Sequence, residues 1–144
     1  MAWYEGSHTE VIAAPAERAF DAMTNYDAMP TWQGPLRRCS VIERDGDGTA
    51  TVVEYEIATP VKSVTYRMRH REEAPAAVHG ELIEGDLKGF RGSWTFSPLA
   101  DDRVEVTAAG AIDPGLWVPK KIVSMLQDSV LRRAVRDLKR YLEG

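Results

Sequence analysis

The sequence lacks most features that announce a chemistry. Cys39 is the sole cysteine among 144 residues, so no internal disulfide can form and a reducing compartment is expected. No apolar run approaches the roughly 20 residues that span a bilayer. The start, MAWYEGSHTEVIAAP, has no basic stretch followed by an apolar one and does not read as a secretory signal. Both absences point to a cytoplasmic protein. Neither sign of charge dominates: the net charge is −4, which gives no general attraction to DNA or to an anionic membrane. The three histidines, His8, His70 and His79, have no i, i+4 spacing, and with one cysteine they make no metal-ligand pattern. No metal and no cofactor are expected. There is no G-x-S-x-G motif, and the glycines of GDLKGFRG follow a hairpin rather than open a helix, which excludes a phosphate loop. Repeats, low-complexity tracts and linkers are absent too, so residues 1–144 read as one domain.

What is present is a dense series of short patterns separated by Pro and Gly. SHTEVIA reads as a first strand. In APAERAFDAMT, Pro15 suits a first helical turn, and Ala16, Ala19, Phe20 and Met23 recur at helical spacing. NYDAMPTW reads as a second short helix or turn, capped by Asn25 or Asp27 and stopped by Pro30 and Gly34-Pro35. The period then changes to two. LRRCSVIER runs to the turn signal DGDG. TATVVEYEIA places Thr51, Val53, Tyr55 and Ile57 on one face, and VKSVTYRMRHRE does the same with Val64, Tyr66, Met68 and His70. AAVHGELIE turns at Gly85-Asp86. LKGFRGSWTFSP groups Phe90, Trp94 and Phe96, and RVEVTAAGAID groups Val104, Val106 and Ala108. About seven strands result, and their short links favour an antiparallel meander with one buried face.

From Pro119 no glycine or proline interrupts PKKIVSMLQDSVLRRAVRDLKRYLE. Val123, Leu126, Val130, Ala134, Leu138 and Tyr141 form a helical stripe, widened by Ile122, Leu131, Val135 and Leu142. Roughly 25 residues at about 1.5 Å each give nearly 40 Å, long enough to cross a sheet. The fold class is therefore α+β: a curved antiparallel sheet wrapped around a long C-terminal helix, with two short helices after the first strand. A curved sheet gripping one helix often leaves space between them for a ligand.

Three pieces of text, VIAAPAERAFDAMTNYDAMPTW, FRGSWTFSPL and the Pro-led helix ending LKRYLE, resemble the START-like (SRPBCC) superfamily in its polyketide cyclase/dehydrase and coenzyme Q-binding branch. The resemblance covers nearly the whole chain and implies the helix-grip fold. Its members include lipid carriers, quinone-binding proteins, aromatase/cyclases and a ribosome-association toxin, and fold alone does not choose among them. It also implies that Tyr26, Met29 and Trp32 pack against the cavity rim and the start of the long helix, with Trp117 near the same mouth.

The expected function is binding of a hydrophobic or aromatic small molecule, polyketide-like, quinone, isoprenoid or lipid. The expected walls are Tyr55, Tyr66, Met68, Phe90, Trp94, Phe96, Leu126 and Val130, with Trp32 and Trp117 at the mouth. Gln127 falls inside the apolar helix face. A buried amide without partners costs about 1–3 kcal/mol, so this residue points to a polar handle, a strand backbone or a water. The alternative is a polyketide aromatase/cyclase in which Tyr66 and His70, on one strand face, carry protons. Against that role, Tyr66 could simply line the core and His70 sit solvated at the rim. Arg67 and Arg69 read as convex-face residues, and Cys39 as a buried or edge thiol. A third reading uses the basic side of the long helix, Arg132, Arg133 and Arg136 with Lys121, Lys139 and Arg140, for weak contact with RNA, a ribosome or a membrane surface. The bland account of those cations is solubility and a favourable helix dipole. The chain is expected as monomer or homodimer.

Overall fold

A computed structural model describes residues 3–58, 62–113, 115 and 120–144, the stretch 120–128 by its backbone alone. The strands are β1 (Tyr4–Ile12), β2 (Leu36–Arg44), β3 (Ala50–Ala58), β4 (Ser63–Glu73), β5 (Ala77–Gly85), β6 (Gly89–Ala100) and β7 (Arg103–Asp113). The helices are α1 (Ala16–Thr24), a 3-10 helix over Tyr26–Thr31, and the long α2 (Lys120–Glu143). The strands form one antiparallel sheet in the order β1-β7-β6-β5-β4-β3-β2. This is the helix-grip architecture expected from the sequence.

Turn chemistry sets the register. At Asp45–Thr49 the Asp45 carboxylate accepts from the backbone N–H groups of Asp47 and Thr49, and Gly48 takes a φ of +84°. Gly85 has a φ of +137°, and a Cβ there would lie 2.4 Å from the Tyr66 backbone, so only glycine fits this close approach of β5 to β4. Edge strand β2 carries register shifts between Leu36 and Arg38 and again from Val41 to Arg44.

Because β1 and β2 lie at opposite edges, the link between them must cross the sheet, and α1 with the 3-10 helix makes that crossing. Ala16, Ala19, Phe20 and Met23 are the buried side of α1, as their spacing predicts. Pro15 stands just before the helix as its N-cap residue, and neither Asn25 nor Asp27 supplies a side-chain cap to the 3-10 helix. Phe20 meets Phe96 edge-on, with ring centroids 6.1 Å apart. Phe96, Val104, Val106 and Leu138 are almost fully buried, and burial of each such side chain contributes roughly 1.5–3 kcal/mol. Helix α2 packs on β1, β7 and α1. Its described buried side is Ala134, Val135, Leu138 and Leu142, while Tyr141, assigned to that stripe from the sequence, is 49% exposed.

Candidate functional site

The described core divides in two. One part lies under α1 and the C-terminal half of α2; the other is a smaller group, Val64, Tyr66 and Met68, on β4. Between them stand side chains that point to the concave side yet remain only half-buried: Tyr55, Ile57, Leu82, Phe90 and Trp94. Strand alternation gives all of them the core-facing direction, so their residual exposure marks open space over β3–β6. Four residues in direct register, Gly6, Gly110, Gly92 and Gly80, continue this space across β1, β7, β6 and β5 and end at His70. None of the four has a positive φ. At Gly92 a Cβ would meet only ordinary contacts, 3.4 Å from the Ala109 carbonyl oxygen and 3.7 Å from Phe90. Backbone geometry does not require glycine there.

The polar part of this face centres on His70. Its Nε2 lies 2.7 Å from the Tyr55 hydroxyl, across the β3–β4 pairing. Tyr55 stacks on Tyr66 (5.5 Å), and Phe90 meets Tyr66 edge-on (5.6 Å). From the other side Tyr26 of the 3-10 helix packs against the His70 ring at 5.4 Å and donates its hydroxyl to Glu72 at 3.2 Å. His70 is therefore no solvated rim residue. Burial lowers its pKa from 6.5 to about 4, partly offset by the His79 main chain, so the imidazole is neutral at pH 7. Its Nδ1 is buried and has no hydrogen-bond partner among the described residues. Burial also raises the phenol pKa values of Tyr55, Tyr66 and Tyr26, in the last case with help from the Glu72 charge. Desolvation raises the Glu72 carboxyl as well. Cys39 is buried and its thiol is pushed up to about 12, which leaves almost no thiolate at neutral pH.

The structure brings Tyr55, Tyr66, Met68, His70, Phe90 and Trp94 to one concave surface, with Phe96 deeper in the main core. His70 bonds to Tyr55 of the neighbouring strand, and Tyr66, the other candidate proton carrier, stacks on Tyr55. Val130 is half-buried on α2, whereas Trp117 and the side chains of Leu126 and Gln127 lie outside the described residues. Trp32 differs from expectation: it stacks on Tyr141 at 5.0 Å, near the end of α2 and not its start. That placement follows from Asp137, a buried carboxylate that accepts from the Gly34 backbone N–H at 2.9 Å and so ties the 3-10 segment to the last turns of the helix. Sequence reasoning did not single out Asp137. Tyr26 was noted only as a packing residue, and its approach to His70 crosses elements far apart in sequence.

The basic side of α2 is more neutralised than its composition indicates. Arg133 and Arg140 flank Asp137 at 3.9 and 3.5 Å, Arg136 reaches Glu10 at 3.4 Å, and Lys139 bonds Glu143 and the Val11 carbonyl. Arg132 is exposed. Arg67 pairs with Glu54 and Glu84 on the convex face, as strand phase predicts. A cavity of about 1000 Å³ is lined by His70 and the glycine run Gly6, Gly110, Gly92 and Gly80, together with strand neighbours that include Glu5, Arg69, His79 and Arg91. No group of side chains that could hold a metal ion occurs among the described residues, and no described helix is long and apolar enough to cross a membrane.

The sequence profile of a family described as polyketide cyclase/dehydrase and lipid transport matches residues 12–139. The chain belongs to this family. Solved structures agree on its START-like fold. A START superfamily protein from Mycobacterium smegmatis superposes with a TM-score of 0.90 at 20% identity, covering 97% of each chain. A protein from Thermus thermophilus gives 0.86 at 16% identity over 96% of this chain and 97% of that one. The Zhui aromatase/cyclase of a Streptomyces species gives 0.79 at 18% identity over 99% and 93%. No curated protein sequence matches the chain. At these identities the likeness carries fold alone, while family membership supports hydrophobic-ligand binding or cyclisation as the coarse functional class.

Proposed function

We propose that this START-like protein binds an apolar or aromatic small molecule, polyketide-like, quinone, isoprenoid or lipid, against the concave face of β3–β6. The observation that carries this reading is the residual exposure of the partly buried Tyr55, Ile57, Leu82, Phe90 and Trp94 on the side of the sheet that points inward. Apolar side chains left with accessible surface in a concave site gain free energy when a ligand covers them, roughly 25 cal/mol per Å² of area removed from water. Tyr55 and His70 supply a neutral polar anchor beside this surface. The test is native mass spectrometry of the protein purified from its own cells, with extraction of whatever is bound. A co-purifying quinone, lipid or polyketide is the expected result. An apo mass, together with no thermal shift across a quinone and fatty-acid panel, would overturn the reading.

The hydrogen bond between Tyr55 and His70 favours one second reading, acid–base cyclisation of a reactive polyketide. A neutral imidazole accepts a proton and a phenol donates one, which are the two transfers an enolisation and ring closure need. In that case His70→Gln abolishes turnover while ligand affinity persists. Equal turnover in the variant removes the cyclase reading and leaves the binding reading standing. The ion pairs of Arg133 and Arg136 argue for a structural role of the basic helix side over contact with a macromolecule.

A further inference from the structure

Resting on the binding function proposed above, we infer that the site selects its ligand by shape, taking a narrow, linearly fused flat ring system that lies across the strands in preference to an angular or branched isomer. The floor is the run Gly6, Gly110, Gly92 and Gly80, residues opposite one another on adjacent strands. Side chains two residues away on each strand stand on the same face. Leu82, Phe90 and Ile112 therefore form a row along one side of the run, and Val78, Trp94 and Ala108 a row along the other. Between the rows the glycines leave a trench one side chain deep. His70 bounds it at the β4 end: a Cβ at Gly80 would stand 3.3 Å from the ring Cε1 and 3.4 Å from Nδ1, the atom that has no partner among the described residues. The same glycines and His70 line the cavity of about 1000 Å³, so the trench opens into space that a ligand can occupy.

Sheet geometry sets the dimensions. Neighbouring strands lie about 4.8 Å apart, so the intervals from β5 to β1 give the trench a length of about 14 Å. The two rows stand about 13 Å apart between Cα positions, and their side chains narrow this to the width of a single ring. A linear tricyclic lies in such a slot end to end. An angular isomer of the same composition lifts one ring over a wall and leaves part of its apolar surface in water. Phe90 and Trp94, on opposite sides of Gly92, offer that slot aromatic walls. Backbone conformation does not call for the run, since none of its glycines has a positive φ and a methyl at Gly92 would meet only ordinary contacts. Glycine in a strand interior costs stability, and what it leaves here is an open floor.

The experiment compares 2-anthrol with its angular isomer 2-phenanthrol, and both with 2-naphthol, by tryptophan fluorescence titration at neutral pH. The two isomers share composition and hydroxyl group, so a difference between them reports shape. The wild-type protein is expected to bind 2-anthrol about fivefold or more tightly than 2-phenanthrol. The shorter 2-naphthol should bind more weakly than 2-anthrol. Gly92→Ala raises the floor midway and should bring the two isomers to within about twofold of each other. The methyl fits the folded chain, so a thermal midpoint no lower than that of the wild type separates this loss from a loosened fold. Equal binding of the isomers by the wild-type protein, tighter binding of 2-phenanthrol, or an undiminished preference in Gly92→Ala overturns the inference and leaves the cavity reading intact. Binding of none of the probes overturns both.

Discussion

Lowering the pH should destabilise the protein through His70 by an amount fixed by its burial. The ring is packed among Tyr26, Tyr55 and the β5 backbone and has a pKa of about 4, against 6.5 when unperturbed. Between those two values the unfolded chain binds more protons than the folded one, so stability falls as pH falls. The contribution is complete above pH 6.5 and is lost progressively toward pH 4. From roughly pH 7 to pH 5 the loss through His70 alone comes to about 2 kcal/mol. The other groups near the ring change this little. The phenols stay protonated, since burial raises each of them. Glu72 opposes the trend, because desolvation raises its carboxyl and the folded state takes up that proton more readily. Glu54, Glu73 and Glu143 are held below the usual carboxylate range by Arg67, Arg71 and Lys139 respectively, and remain ionised over this interval. The perturbation is His70→Gln, which keeps a hydrogen-bonding partner for Tyr55 and removes the titration. Urea unfolding at the two pH values is the assay. The midpoint of the wild-type protein should fall by about 1 M more than that of the variant, given a slope of roughly 1–3 kcal/mol per molar urea. Identical pH dependence in the two proteins would refute the claim that His70 is buried neutral.

Two further outcomes follow from the fold. Asp137→Ala removes a charge-assisted hydrogen bond to the Gly34 N–H inside the protein and should cost about 2 kcal/mol. Arg133→Met or Arg140→Met breaks only solvent-exposed pairs to the same carboxylate and should cost less than about 1 kcal/mol; thermal unfolding of the three variants checks the order. Gly92→Ala should raise stability by about 0.5–1 kcal/mol, because glycine in a strand interior is entropically costly and a methyl fits there. The same methyl enters the concave space, so 2-naphthol affinity should drop by about fivefold or more, and unchanged affinity would place the ligand elsewhere.

Most of the architecture was legible because each element carries its own local signal. Periods of two and 3.6, the DGDG and Gly85-Asp86 turns and an uninterrupted terminal helix together specify seven strands, their neighbours and the cover. Face assignments were equally local: Val64, Tyr66, Met68 and His70 do share the concave side. The contacts that shape the site are not local. Tyr55 meets His70 through the β3–β4 register, and Tyr26 meets Glu72 across 46 residues. The seat of Trp32 was misjudged because the tether, Asp137, lies 103 residues beyond Gly34 and looks in sequence like one more charge on a polar helix face. Pairing along α2 was hidden for a similar reason, since Glu10, the partner of Arg136, sits on β1.

The irregular pairing of β2 bears on how the molecule meets copies of itself. An edge strand with evenly spaced free N–H and C=O groups invites a second chain to extend the sheet. In β2 the ladder slips near Arg38 and again between Val41 and Arg44, and Arg37, Arg38, Glu43 and Arg44 are exposed along the strand. Each slip turns the outward amides out of line, and an incoming strand would have to bury those charges. The sheet thus ends at β2 by its own geometry, and the protein carries there a built-in resistance to edge-to-edge aggregation.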